Sequence, residues 1–167
     1  YAFYKCQGLT ELRLPDALKV IGNNAFYKCT GIRVLELGES LETIGDYAFL
    51  GLDRVTDMTL PATLTSIGKH AFKGLASLRT LIIPKSVCDI RINAFFGCRN
   101  VTFFVEEGTD MSGWNIRWNS SNRPAVIGVS LSDDGDYVAS VTVGAGTLKN
   151  VRNLVDTITP IASPERA

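Results

Sequence analysis

Hydrophobic positions along this chain repeat with a period of 23 residues. The clearest marker is an Ala-Phe dipeptide that occurs five times at this interval, at Ala2-Phe3, Ala25-Phe26, Ala48-Phe49, Ala71-Phe72 and Ala94-Phe95. A fixed period of this size is typical of solenoids, in which each turn contacts only its neighbours. The sequence therefore predicts a stack of about five coils with an extended lateral surface.

Each coil contains a stretch with the alternation of a short strand. Leu12 and Leu14 alternate with Glu11 and Arg13, a period of two that suits a strand with one buried face. A residue that ends a strand follows in four coils, namely Pro15, Gly38, Pro61 and Pro84. We expect strands of successive coils to pair in parallel.

A second stretch of each coil has a different spacing. Phe3, Cys6 and Leu9 recur every three residues, which favours a single helical or 3₁₀ turn. Strands together with these turns predict an α/β solenoid with a right-handed coil. Because one turn of 23 residues cannot bury its own apolar face, stability has to come from stacking.

The repeated frame resembles the BspA-like leucine-rich repeat family, whose turns read AFxxC, then LxxLxLP, then an SVxxIG-like stretch. The resemblance covers residues 1–110. Where the better-known leucine-rich consensus has Asn, these coils have Ala17, Ser40, Thr63 and Ser86. We expect the hydroxyls to satisfy backbone groups in the turn. The resemblance implies a bacterial protein that is secreted or exposed on the cell surface.

The balanced charge and the lack of a long apolar run argue against two classes of protein. The 167 residues carry 17 Lys and Arg against 17 Asp and Glu, so the chain lacks the basic footprint of a nucleic-acid binder. No apolar run is long enough to span a membrane. Tyr1 already stands in repeat register, so we expect the chain to come from inside a longer array. An open first coil would also allow two copies to stack on each other.

Three of the four cysteines share one repeat position. Cys6, Cys29 and Cys98 stand where other coils have Leu52 and Leu75, which indicates small buried hydrophobes. A disulfide between the first two is disfavoured because their side chains would point the same way. Cys88, on another side of the coil, is the expected exposed thiol.

The period breaks after residue 110. Residues 111–129 resemble the GW-rich end segments of this family, and we expect Trp114 and Trp118 to cover the last coil; the alternative is a sugar-stacking platform. Residues 130–167 predict a small β-rich appendage: two strands around a turn at Asp134-Gly135, then a short amphipathic helix over 148–158. This last region looks like the start of a Listeria-Bacteroides type repeat.

Catalytic chemistry has no support in the sequence. His70, the only histidine, stands at the variable first position of a coil, where a solvated turn residue is expected. Asp133, Asp134 and Asp136 lack the spacing of a calcium loop and are interpreted as a turn. We therefore expect no enzyme, no cofactor and no metal.

Partner binding would then use the outward side chains of the strands. Down the stack this row drifts from charged to apolar, and its expected partner-binding residues are Arg13, Glu36, Thr80, Ile82, Phe103 and Val105. The last three would form an exposed apolar patch. Alternatively, the chain that follows the repeats folds back over this patch.

Two hypotheses follow for function. The first is a non-catalytic binding module of a surface or secreted protein, which engages a protein or glycan partner, including host matrix, through the solenoid face. The second is a structural spacer that holds another domain away from the cell surface.

Overall fold

The computed structural model describes residues 1–131 and 137–139. We number five coils, which begin at residues 1, 24, 47, 70 and 93. The strands are β1 (Glu11–Arg13), β2 (Val20–Ile21), β3 (Val34–Glu36), β4 (Thr43–Ile44), β5 (Ser66–Ile67), β6 (Thr80–Ile83), β7 (Asp89–Ile90), β8 (Thr102–Glu106), β9 (Ala125–Leu131) and β10 (Tyr137–Ala139).

The solenoid is built of strands and turns. No helix occurs among the described residues, so the predicted α/β class is wrong. The Ala-Phe segment instead forms tight turns, in which the Cys6 N–H donates to the Phe3 carbonyl at 3.2 Å and the Leu9 N–H donates to the Cys6 carbonyl at 3.3 Å. Bonds that reach back three residues match the apolar spacing of three, and the chain turns away before an α-helix can begin.

Parallel pairing at a constant offset confirms the coil stack. On one side, β2, β4, β5 and β7 form a continuous sheet in which Ile44 lies opposite Ile67. On the other side, Leu12 of β1 lies opposite Leu35 of β3. Both offsets equal one repeat, so the like side chains of successive coils stack on one another.

A column of phenylalanines runs through the core. Phe3, Phe26, Phe49, Phe72 and Phe95 stack with parallel rings at centroid distances of 5.2, 5.5, 5.5 and 5.4 Å. At the far end Trp118 packs edge-on against Phe95 at 6.1 Å. Trp114 packs edge-on against Trp118 at 5.1 Å, and its indole N–H donates to the Val87 carbonyl. The tryptophans thus cover the last coil, as the sequence predicted.

Two positions in each of the second to fifth coils adopt the left-handed backbone conformation. The first is the opening residue of the coil, with φ of 57° at Asn24, 59° at Tyr47 and 53° at His70. The second lies four residues further on and is Lys28 in the second coil but Gly51 in the third, with φ of 54° and 83°. These residues let the chain turn sharply on either side of each Ala-Phe pair.

Beyond the fifth coil the chain returns to the strand side. β9 pairs in parallel with β8, and β10 pairs antiparallel with β9 so that Tyr137 lies opposite Leu131. β10 lies within the predicted appendage, whereas β9 lies mostly in the segment 111–129 that was predicted to be a cap. The predicted helix over 148–158 and the aspartate turn around Asp134 lie outside the described residues. The division at residue 129 stays a prediction, and β9 runs across it.

Candidate functional site

The outward side chains on the strand side of the first four coils form one surface, which we call the strand face. Alternation within each strand produces it, because the leucine at the centre of β1 is buried while its two neighbours are exposed. The strand face comprises Glu11, Arg13, Val34, Glu36, Asp57, Thr59, Thr80 and Ile82. Six of these residues are exposed, whereas Val34 and Ile82 are half-buried.

The first two coils carry an ion-pair group on this face. The Arg13 guanidinium contacts the Glu36 carboxylate of the next coil and lies 3.6 Å from the Glu11 carboxylate. The hydrogen bond that Arg13 donates to the Glu36 carboxylate and the negative charge of Glu36 raise the pKa of Arg13. Because all three groups are well exposed, the pair sets the local charge pattern and adds little to stability.

Phe103 and Val105 do not belong to the strand face, although the sequence analysis placed them there. Both side chains are fully buried. Phe103 pairs with Leu81 and Val105 with Ile83, an offset of 22 residues instead of 23. Phe103 follows Cys98 by five residues, whereas Leu81 follows Leu75 by six. Because of this missing residue, the side chains of β8 point to the opposite faces from those that the repeat predicts.

Phe104 takes the outward position instead. It lies beside Ile82 and packs with Val126 and Val129 of β9 in a second apolar cluster, separate from the core. Phe104 is 6% exposed, and both valines are 1% exposed. The predicted exposed apolar patch is therefore absent here, which favours the alternative that the chain following the repeats packs on these coils.

The strand sheet is interrupted at the third coil. β1 pairs with β3, and β6 belongs to a separate sheet with β8, β9 and β10, while residues 57–59 between them form no strand. A cleft of about 740 Å³ opens between the second and third coils. Its walls include Leu35, Glu36, Glu39, Asp57, Met58 and Leu60.

The first two coils pack closely at a glycine next to this opening. A Cβ atom at Gly38 would lie 2.2 Å from the Pro15 carbonyl oxygen, so the first two coils approach each other more closely here than any side chain would permit. The third coil has Pro61 at the same repeat position, and this residue lines the cleft. Close approach on one side of the second coil thus accompanies separation on the other.

Sequence reasoning missed this cleft. The alternation around Met58 is as regular as that around Leu12, so it predicts an equivalent strand. The apolar pattern therefore contains no signal for the cleft.

Thr63 and Ser86, which occupy the same repeat position, differ in their hydrogen bonds. The Thr63 hydroxyl lies 2.7 Å from the Glu39 carbonyl oxygen and 2.9 Å from that of Leu41, both in the preceding coil. The Ser86 hydroxyl is buried without a partner among the described residues. The expected satisfaction of backbone groups is therefore confirmed at Thr63 and wrong at Ser86.

The cysteines and His70 were the remaining candidates for reactive side chains. All four cysteines are free; Cys29 and Cys98 are buried, whereas Cys6 and Cys88 are exposed. His70 stacks on Tyr47 at 5.1 Å, and burial lowers its pKa. Within residues 1–131 and 137–139 no three His, Cys, Asp or Glu side chains come together as metal ligands.

The first coil leaves an apolar end open. Tyr1 is 77% exposed and Phe3 is 48% exposed, whereas the equivalent Phe26 is buried. Stacking of two copies through this end stays a prediction. Among the described residues there is no helix of the length and apolarity needed to cross a bilayer.

Comparisons with known proteins agree with this geometry. A family model described as "BspA type Leucine rich repeat region" matches residues 1–105 in six copies. A leucine-rich repeat protein of Bacteroides ovatus has 31% identity and a TM-score of 0.57, over 63% of this chain and 27% of that protein. The T. pallidum leucine-rich repeat protein has 27% identity and a TM-score of 0.62, over 76% of this chain and 59% of that protein. No curated protein matches.

Proposed function

Since this chain belongs to the BspA-type leucine-rich repeat family, which indicates a protein-interaction or scaffold module, we propose that it is a non-catalytic binding module of a bacterial surface or secreted protein. It engages a protein or glycan partner, such as a host matrix component, through the strand face. The observation that carries this proposal is the strand face itself, where outward side chains from four stacked coils lie on one side of the solenoid.

The shape of this surface supports a macromolecular partner. Successive coils present their outward residues in a row, and such a row suits an extended contact better than a small ligand. The stack beneath is held by backbone hydrogen bonds such as that from Gly68 N–H to the Ile44 carbonyl at 2.8 Å. A rigid surface loses little conformational entropy when it binds.

The family supports a bacterial surface setting, and the two solved relatives, from Bacteroides ovatus and T. pallidum, support a bacterial origin. The chain spans 27% and 59% of the length of those relatives. Surface labelling of intact cells that produce the whole protein tests this setting.

A pair of matched variants tests the strand face. Glu36 pairs with Arg13 on the strand face. Glu42 forms an equivalent ion pair elsewhere on the solenoid, with a distance of 2.9 Å between its carboxylate and the Lys19 ammonium. We expect Glu36→Lys to weaken binding to ligands found on arrays of host matrix proteins and glycans, and Glu42→Lys to leave it unchanged. Equal affinities of the two variants for the same ligand would exclude the strand face.

The spacer hypothesis makes the opposite prediction. Deletion of residues 46–68 removes one coil in register and shortens the stack without altering the remaining frame. If the protein is only a spacer, this deletion impairs the parent protein while strand-face substitutions have no effect. If the protein is a binding module, Glu36→Lys impairs its function although the length of the stack is unchanged.

A further inference from the structure

We infer that the cleft between the second and third coils is a docking site for an extended peptide segment of the partner, rich in Lys or Arg and paired with the free edge of β3. This inference rests on the proposed function and names the chemistry of its partner. It draws on three properties of the cleft, namely its backbone edge, its apolar walls and its charge.

The backbone edge of β3 is unpaired toward the cleft. Val34 N–H donates to the Thr10 carbonyl and the Glu36 carbonyl accepts from Leu14 N–H at 2.9 Å, so both residues direct their backbone groups to the first coil. Alternate residues of a strand direct theirs to opposite sides, so the Leu35 groups face the third coil. Within residues 1–131, β3 pairs with β1 alone, which leaves these groups free.

The same two coils remain bonded on the far side of the solenoid. There β4 pairs with β5, and the Phe26 and Phe49 rings stack at 5.5 Å. The opening is therefore confined to the strand side. An exposed strand edge that is held rigidly by its other contacts is the feature by which proteins bind extended peptides through main-chain hydrogen bonds.

Apolar walls and a defined volume suit one row of peptide side chains. Leu35, Met58 and Leu60 line the cleft, whose volume of about 740 Å³ lies in the range of ligand pockets. An extended peptide directs alternate side chains to opposite faces. We therefore expect small apolar residues on the inward side of the bound segment.

The charge of the rim selects the outward residues of the peptide. Three carboxylates line the cleft, from Glu36, Glu39 and Asp57, and no Lys or Arg is among its lining residues as described. Glu36 is partly neutralised by Arg13, whereas the other two have no ion pair in the described part of the chain. Complementarity favours a segment in which Lys or Arg alternates with apolar residues.

A synthetic probe tests this chemistry directly. The probe is an acetylated, amidated hexapeptide of alternating valine and lysine, and its counterpart alternates valine and glutamate. Binding to the folded protein is measured by fluorescence anisotropy of labelled peptides. We expect the lysine peptide to bind at least about tenfold more tightly than the glutamate peptide. Shifts of the Leu35 and Met58 amide signals in NMR spectra locate the bound probe.

Matched variants separate the cleft from general charge attraction. Asp57→Lys combined with Glu39→Lys reverses two rim charges, and we expect at least about tenfold weaker binding of the lysine peptide. Asp53→Lys changes an exposed aspartate of the same coil that does not line the cleft, and is expected to leave the affinity unchanged. Circular dichroism spectra confirm that each variant is folded.

Two N-methylated probes test the main-chain contact. Methyl groups on alternate amides block one edge of the peptide, and the two alternating patterns block opposite edges. We expect one pattern to abolish binding because it removes the donors that face β3, and the other to retain most of it. If both methylated peptides bind like the parent probe, there is no strand pairing and the inference is wrong.

Other outcomes would also overturn the inference. These are failure of the lysine peptide to bind at millimolar concentration, unchanged binding to the double variant, or self-association of the protein that Asp57→Lys abolishes, which would make a second copy the occupant. A natural ligand that is lost on Glu36→Lys but retained by the Asp57 and Glu39 double variant would leave the proposed function standing without the cleft.

Discussion

The Phe49 ring lies parallel to the Phe72 ring one coil away, with a centroid distance of 5.5 Å and an interplanar angle of 10°. Both rings are fully buried, and each stacks on a further phenylalanine on its other side. The column is thus a continuous aromatic contact from coil to coil. We expect the stability of the solenoid to depend on it.

Truncation in the middle of this column should be costly. We expect Phe49→Ala to lower the free energy of unfolding by about 3–5 kcal/mol, because it leaves a cavity between two coils. Phe49→Leu, which keeps most of the volume, should cost less. Urea denaturation of the three proteins measures the differences. A loss below about 1 kcal/mol for Phe49→Ala would show that the coils do not depend on the column.

The left-handed position of the fourth coil provides a second prediction. Gly74 has φ of 84°, and an added Cβ would meet only ordinary contacts at 3.7 Å, so the effect of Gly74→Ala isolates backbone strain. We expect a loss of about 1–2 kcal/mol in denaturation experiments. Gly22→Ala is the control, since its Cβ meets nothing within 4 Å. Equal effects of both changes would contradict the assigned conformation.

The thiols should fall into two classes of reactivity. Burial raises the pKa of Cys98 to about 12 and also raises that of Cys29, and each thiol donates to the carbonyl of a phenylalanine in the preceding coil. Because the thiolate is the reactive form, we expect Ellman's reagent to modify Cys6 and Cys88 quickly in the native protein. The other two should react only on unfolding, as mass spectrometry of timed samples would show.

His70 should make stability depend on pH. Burial, followed by the positive charges of Lys73 and Lys69, lowers its pKa below the ordinary 6.5, against a smaller opposing effect of Asp46. As the pH falls below that value, the unfolded chain takes up the proton before the folded chain does, so stability declines. Above it, the contribution is fully present.

The comparison with His70→Asn isolates this effect. Asparagine occupies the same repeat position at Asn24 and Asn93 with a similar φ, so the backbone should tolerate the change. Denaturation midpoints at about pH 7.5 and about pH 5.5 should differ more for the parent chain than for the variant. Identical differences would show that His70 does not titrate unequally in the two states.

Much of the fold could be predicted because one apolar frame recurs in register. The stacking of Ile44 on Ile67 and the covering of Phe95 by Trp118 both follow from the requirement that each coil buries its apolar side against the next. The predicted α/β class was wrong because the three-residue spacing of Phe3, Cys6 and Leu9, which suits a helical or a 3₁₀ turn, belongs to tight turns here.

The site was harder to predict for two separate reasons. The burial of Phe103 depends on one missing residue after Cys98, which reverses the alternation and could have been counted in the sequence. The cleft beside Met58 occurs where the alternation is regular but no strand forms, so no apolar pattern records it. Side-chain periodicity therefore identifies the coils, whereas the gaps between them depend on backbone contacts.

The reversed alternation in β8 leads to a last prediction. Phe103 is fully buried between Phe95 at 5.0 Å and Trp118 at 4.9 Å, whereas Thr80 is exposed on the strand face. Phe103→Asp should cost more than about 4 kcal/mol, since it buries a charge without a partner. Thr80→Asp should change stability by no more than about 0.5 kcal/mol. Thermal denaturation followed by circular dichroism measures both changes in stability. A stable Phe103→Asp protein would contradict the burial of Phe103 and would show that its side chain points outward, as the repeat predicts.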